Sequence, residues 1–165
     1  MDYAQARAQI ETGDLIAVRD VHGVLGWLTR WFTRSPYTHA GIALWLAGGL
    51  YMAELNGGRN HLVPLSQLTA FDVYKAPDGL TGIDAAIMEW LRAPIMYGYL
   101  AFVMIGLIDW LRLQVFVHWR RILVCSGYCV AIYETAGWPE HSRIVSPRGL
   151  AKLLKFKLGV SGGTQ

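Results

Sequence analysis

Two hydrophobic rhythms divide this chain. Between residues 14 and 75 the apolar positions fall in short runs rich in β-branched and aromatic side chains, and glycine pairs separate the runs. That pattern predicts five strands, at residues 14–19, 37–46, 50–55, 61–65 and 71–75. In the first, Leu15 and Ala17 alternate with Ile16 and Val18, so both faces are apolar and the strand is expected to be covered on both sides. Gly48-Gly49 and Asn56-Gly57-Gly58 stand where the chain must reverse, which predicts hairpins and antiparallel pairing.

The other rhythm is helical. Residues 4–11 form a short helix ended by Thr12-Gly13. Leu25, Leu28, Trp31 and Phe32 make one stripe over residues 24–33. That helix packs on the core or, with Trp27 and Trp31 beside Arg30 and Arg34, touches a membrane. Ile83, Ile87, Trp90 and Leu91 line a helix over 83–91, and Pro94 stops it. Residues 95–108 carry no charge, but fourteen residues fall short of the roughly 20 that cross a bilayer. They are expected as a buried helix beside the site, the alternative being a helix that dips into a membrane or lines an acyl-chain pocket. Residues 110–121 would supply the cationic, aromatic border for such a contact. An apolar approach, Ile122, Leu123 and Val124, leads into a helix that opens at Cys125 and stops at Gly137. Ser146-Pro147 caps a closing helix over 149–154. No repeat or linker divides the chain, so residues 1–155 are expected as one domain and 156–165, ending in S-G-G-T-Q, as a flexible tail.

Composition changes the picture in one respect. The 165 residues are 53% hydrophobic and only 16% charged, with mean hydropathy +0.29, so an apolar ligand, a membrane surface or a large partner stays open. The net charge of +3 is scattered, which argues against nucleic acid as a partner. The start of the chain is polar, with no apolar export segment, and two cysteines four residues apart make no disulfide framework. Both fit synthesis in a reducing cytoplasm, with envelope or membrane-peripheral action requiring some other delivery. No spacing of histidines and cysteines suggests a metal, and no phosphate-cradling glycine loop suggests a nucleotide; no cofactor is expected. The oligomeric state is left open.

The candidate chemistry centres on Cys125. At a helix start the unpaired N–H groups carry partial positive charge, which favours a thiolate. A nucleophile also needs a base, and the chain has five histidines. His39 stands out, early in a strand beside the small Ala40 and Gly41, where another element can approach. His118 and His141 lie in polar or aromatic surroundings, His22 borders a turn and His61 opens a short strand. A third group must orient the imidazole. Glu54 lies on the strand paired by hairpin with that of His39, and a turn at Gly48-Gly49 puts it opposite Ala43, so contact with His39 needs a slip or a bulge. His61 competes for the same role, and a solvated edge glutamate is the plain alternative.

Five segments then occur in a telling order: G-D-L-I-A-V-R (13–19), S-P-Y-T-H-A-G-I (35–42), Y-M-A-E-L-N-G-G (51–58), Y-G-Y (97–99) and V-C-S-G-Y-C (124–129). Together they resemble the circularly permuted papain-like hydrolases, the YiiX-like and lecithin:retinol acyltransferase-like branch of the NlpC superfamily, in which the histidine precedes the cysteine. The resemblance runs from about residue 13 through the Ser146-Pro147 helix. It implies an α+β, permuted papain-like fold, a small antiparallel sheet packed against the helix that carries the nucleophile. It also implies Cys125 as nucleophile, His39 as base and Glu54 as third polar residue. Relatives often carry an acidic residue just after the Cys-Ser pair, where Gly127 stands here, which bears on substrate choice. The expected reaction is acyl transfer through an acyl-enzyme, cleaving an amide or peptide bond, for instance in a cell-wall peptide. The alternatives are a lipid or thioester acyl hydrolase or acyltransferase at a membrane, and a non-catalytic interaction module. Cys125 N–H is the expected oxyanion donor, with Tyr37, Tyr97 or Tyr99 as further substrate-binding groups.

Overall fold

The computed structural model describes residues 1–19, 35–94, 96–97, 122–139 and 146–161. The fold is α+β. Six antiparallel strands form its sheet: β1 (Leu15–Val18), β2 (His39–Leu46), β3 (Gly49–Asn56), β4 (Arg59–Pro64), β5 (Ala70–Tyr74) and β8 (Phe156–Ser161), in the order β4-β3-β2-β1-β5-β8. A one-turn 3₁₀ helix, Leu65–Gln67, joins β4 to β5. Two short strands, β6 (Met96–Tyr97) and β7 (Ile122–Leu123), pair in parallel apart from the main sheet. The helix expected over 95–108 is therefore strand at Met96 and Tyr97; its remainder, and the helix expected over 24–33, lie outside the described residues.

Register in this sheet comes from two tight turns. Leu46 pairs with Gly49 across Ala47-Gly48, and Asn56 pairs with Arg59 across Gly57-Gly58. All four central residues have positive φ, the backbone hand that matches the twist of the flanking strands. The first turn thus sits one residue earlier than the glycine pair suggests, which moves β3 by two positions along β2. That shift governs the site described below.

The closing segment is not a loose tail. Residues 156–161 pair with β5, from Ala70 opposite Ser161 to Tyr74 opposite Phe156, with an irregularity between Val73 and Tyr74. Leu158 and Val160 point into the core while Phe156 and Ser161 are exposed, so a period of two was present in the sequence.

Apolar side chains fill both faces of the sheet, as the covered β1 demands. On one face Leu15, Ala17, Ala40, Ile42, Ala53 and Leu55 meet three helices: α2 (Ile83–Arg92), α3 (Cys125–Thr135) and α4 (Pro147–Leu153). On the other, Ile16, Val18, Met52, Phe71, Val73 and Val160 pack with Ala6 of α1 (Tyr3–Arg7) and with Ile10. Helix α3 is buried nearly all round and is held by polar contacts at its far end. Tyr133 donates to the carbonyl of Gly13 (2.7 Å), and Thr135 accepts from Trp90 Nε1 (2.8 Å) on α2. Asn60 Nδ2 in turn caps α2 through the carbonyls of Trp90 and Ala93, both at 2.9 Å. Buried Asp14 fixes the entry to β1: it accepts from the N–H groups of Glu11 and Ala76 and pairs with Lys157 Nζ at 2.9 Å, so the first and last strands share one carboxylate. Ser146 caps α4 by accepting from Gly149 N–H, as Ser-Pro predicts. Among the described residues no helix is long and apolar enough to cross a membrane.

Ala47 is the only non-glycine described residue with positive φ, at 48°, and it is exposed. Ala47→Asn, which tolerates this conformation better, is expected to stabilise the protein by roughly 0.5–1 kcal/mol, read as a higher urea midpoint. A lower midpoint would show that the turn does not hold the register as described.

Candidate active site

Cys125 is the first residue of α3, and its position follows from what precedes it. The extended β7 leads to Val124, which has strand-like backbone angles (φ −106°, ψ 170°) and no side chain able to cap the helix. Val124 thus offers the first turn no capping side chain, and the N–H of Ser126 acts on the Cys125 sulfur. The N–H of Ala40, on β2, reaches it as well. Strand and helix thus converge on one atom. Cys125 is 6% exposed, while Cys129, one turn deeper, is fully buried.

His39 opens β2, opposite Val18 of β1. Ahead of it Ser35 Oγ accepts from Tyr37 N–H (3.0 Å) and Thr38 N–H donates to Val18 (2.9 Å), so the chain is tied down before the imidazole leaves the sheet. Glu54 comes to it by register. Ile42 pairs with Ala53, and continuing that register sets Glu54 against Gly41, one pleat nearer His39 than a turn at Gly48-Gly49 allows. A diagonal neighbour on the same face lies within reach of a long side chain. No slip or bulge is needed. Gly41 must stay small, since a Cβ there would lie 2.7 Å from the backbone oxygen of Ala53.

The contacts that result are short. His39 Nε2 lies 2.7 Å from Glu54 Oε2, and His61 Nε2, directly across from Glu54 on β4, lies 2.8 Å from Oε1. The His39 approach is close but off the N–H axis, so it acts as an ion-pair contact more than an aligned hydrogen bond. With Nε2 facing Glu54, Nδ1 is the nitrogen left for Cys125, whose sulfur acts on the imidazole as a neighbouring negative charge.

Electrostatics sort these groups. Burial opposes charge on His39, but the Cys125 sulfur and the Glu54 carboxylate more than offset it and raise its pKa to about 10. Burial likewise raises the Cys125 thiol, yet His39 and the two backbone N–H groups bring it below the ordinary value of 9.0. For Glu54, burial again opposes ionisation and His39, His61 and Asn56 outweigh it, so the carboxylate stays charged. Cys129 goes the other way: burial and the neighbouring Cys125 push it well above the usual range. One thiol is activated and the other suppressed.

Of the residues singled out in the sequence, the structure brings together Cys125, His39, Glu54 and His61. Tyr37 is placed differently from expectation: its hydroxyl donates to Asp72 Oδ2 (2.8 Å) and contacts that of Tyr74, with Arg19 holding Asp72 from the other side. It is buried and anchors the segment before His39. Tyr97 lies on β6, while Tyr99, His22, His118 and His141 fall outside the described residues. The Ala40 N–H was not foreseen, because a backbone donor leaves no mark in side-chain identity. Among the described residues no three histidines, cysteines or carboxylates are grouped to hold a metal ion.

No family model matches the sequence, and no curated protein does. The fold does have a solved counterpart. The chain is similar to the crystal structure of metalloprotein yiiX from Escherichia coli O157:H7, with a TM-score of 0.65 at 16% identity, over 93% of this chain and 99% of that one. At that identity the likeness is one of fold.

The asymmetry between the two thiols generates a direct expectation. At neutral pH iodoacetamide should label Cys125 at least tenfold faster than Cys129, read by peptide mass spectrometry, and His39→Ala should remove roughly tenfold of that rate. Equal labelling of the two cysteines, or a rate indifferent to His39, would contradict the assignment.

Proposed function

We propose that this chain is a cysteine hydrolase of the circularly permuted papain-like kind, cleaving an amide bond through an acyl-enzyme on Cys125. What carries the reading is the His39 imidazole lying between the Cys125 sulfur and the Glu54 carboxylate. The order of the parts supports it: histidine on a strand first, cysteine on a helix later, as in the permuted branch that the sequence resembles. The yiiX-like fold is consistent with the same branch.

The steps follow from the groups present. The Cys125 thiolate attacks the carbonyl carbon, forming a C–S bond and placing negative charge on the oxygen. Helix geometry leaves the N–H of Cys125 without an intrahelical acceptor, which suits it to that oxygen. Protonated His39 then gives its proton to the departing amine nitrogen as the C–N bond breaks. In the second half neutral His39 takes a proton from water, the hydroxide oxygen adds to the acyl carbon, and the thiolate leaves as the acid is released. Glu54 holds the imidazole in place and stabilises its charged form throughout.

A metal-dependent reading needs a test of fit, because the yiiX counterpart is described as a metalloprotein. Thiolate, imidazole and carboxylate are suitable zinc donors. Their placement is not. The two histidine nitrogens lie 2.7 and 2.8 Å from the Glu54 oxygens, in direct contact with them. Two ligands of a tetrahedral zinc would stand about 3.3 Å apart. These residues as arranged do not fit a metal, and no proposed step passes through one. The lipid-directed alternative rests on Trp27, Trp31 and residues 95–108, which lie outside the described residues apart from Met96 and Tyr97.

Wild type and Cys125→Ala compared on muropeptides, thioesters and acyl-lipids should differ at least a thousandfold on an amide substrate, by the order typical of lost nucleophiles. Equal turnover would reject the cysteine mechanism, and a preference for acyl-lipids with no amide cleavage would reject the substrate class. Dialysis against a chelator should leave the rate within about twofold, since no proposed step passes through a metal; a loss restored by zinc would contradict this. On the alkaline side kcat/KM should fall through about pH 10, where His39 of the free enzyme gives up its proton, and on the acid side as Cys125 and Glu54 take theirs up below their ordinary values.

A further inference from the structure

Glu54 has two carboxylate oxygens, and each faces a different imidazole. Oε2 serves His39 and Oε1 serves His61, on the opposite neighbouring strand. The Glu54 side chain is 5% exposed, whereas His61 is 44% exposed. We propose that His61 is a positioning residue of this site: by holding Oε1 it fixes the rotation of the buried carboxylate and thereby the contact of Oε2 with His39. The inference rests on the thiolate reading of Cys125 given above.

Among the described residues the other side-chain donor near Oε1 is Asn56 Nδ2, at 3.5 Å, beyond the range of a strong hydrogen bond. Without His61, a buried carboxylate oxygen left in that state turns toward another partner or takes up a proton, and either outcome loosens its grip on His39. His61 itself is well placed for the task. Its Nε2 touches Oε1 at 2.8 Å, while Nδ1 stands 3.3 Å from the carbonyl of Arg59 on its own strand. Direct cross-strand pairing of His61 with Glu54 sets the distance without a long flexible side chain. Exposed ion pairs contribute little, but here the acceptor is buried and only the donor reaches water. Among the described residues the titratable groups acting on or near this carboxylate are His39 on β2, His61 on β4, and Cys125 and Cys129 on α3.

The experiment is a set of pH profiles for alkylation of Cys125 by iodoacetamide, which require no known substrate. His61→Ala is expected to slow labelling near neutral pH roughly threefold to tenfold and to move the inflection to higher pH. His61→Gln, whose amide N–H can take the place of the imidazole Nε2–H, is expected to recover most of the rate. In a Glu54→Gln background His61→Ala should add less than about twofold, because both changes act through one contact. Wild-type behaviour of His61→Ala, no recovery by His61→Gln, or a full further loss in the Glu54→Gln background each overturns the proposal. Should His61→Ala fail to fold, His61→Asn, whose shorter amide does not reach Oε1, carries the same comparison. A wild-type profile that inflects at the ordinary thiol value overturns the thiolate reading instead, so the two failures are told apart.

Discussion

A sulfur and an imidazole buried together can both be charged only because each is the other's counter-ion. Taken singly, burial drives the Cys125 proton on and the His39 proton off. Placed side by side, with Ala40 and Ser126 N–H groups on the sulfur and Glu54 behind the imidazole, the same burial strengthens their attraction. Every other feature of the site serves to keep that pair in register. Removing one partner leaves an uncompensated charge, which is why the pair stands or falls as a unit.

The fold meets this demand through connections of different kinds. Helix α3 brings Cys125 from one layer, and its far end is bolted to β1 through Tyr133 and to α2 through Trp90 and Thr135. The sheet brings His39 and Glu54 from adjacent strands, and the Ala47-Gly48 turn decides which residues of those strands meet. Asp14 then ties the start of β1 to Lys157 of the last strand, so the two strands that flank β5 are linked by a partly buried charge pair. A single-residue change in turn length would flip Glu54 to the other face of β3, away from both histidines.

Much of this was legible in the residues. The strands of the first half, the helix opening at Cys125 and the Ser146-Pro147 cap follow from local chemistry, and the structure agrees with them closely. Glu54 is legible as a candidate, but the glycine pair predicts it opposite Ala43, one pleat too far from His39. Two adjacent glycines mark the hairpin without saying which pair of residues occupies the turn, and Ala47 in a left-handed conformation is a poor clue. The last strand is hard to read for a different reason: the alternation of Leu158 and Val160 is short, and the glycine-rich end beside it has the composition of a tail. Met96 and Tyr97 took strand form because a partner 26 positions away along the pairing, from Met96 to Ile122, outweighs the local apolar run. The occupation of Tyr37 by Asp72 and Tyr74 also depends on partners distant in sequence, which local pattern does not reveal.

The central claim is that Cys125 is held as a thiolate by His39, and its most direct measurement is ultraviolet titration of the thiolate. Cys129→Ala protein would be titrated against a Cys125→Ser blank, and again with His39→Ala. The account predicts an inflection below 9.0 that moves upward when His39 is removed. An inflection at or above 9.0, unchanged by His39→Ala, would contradict it.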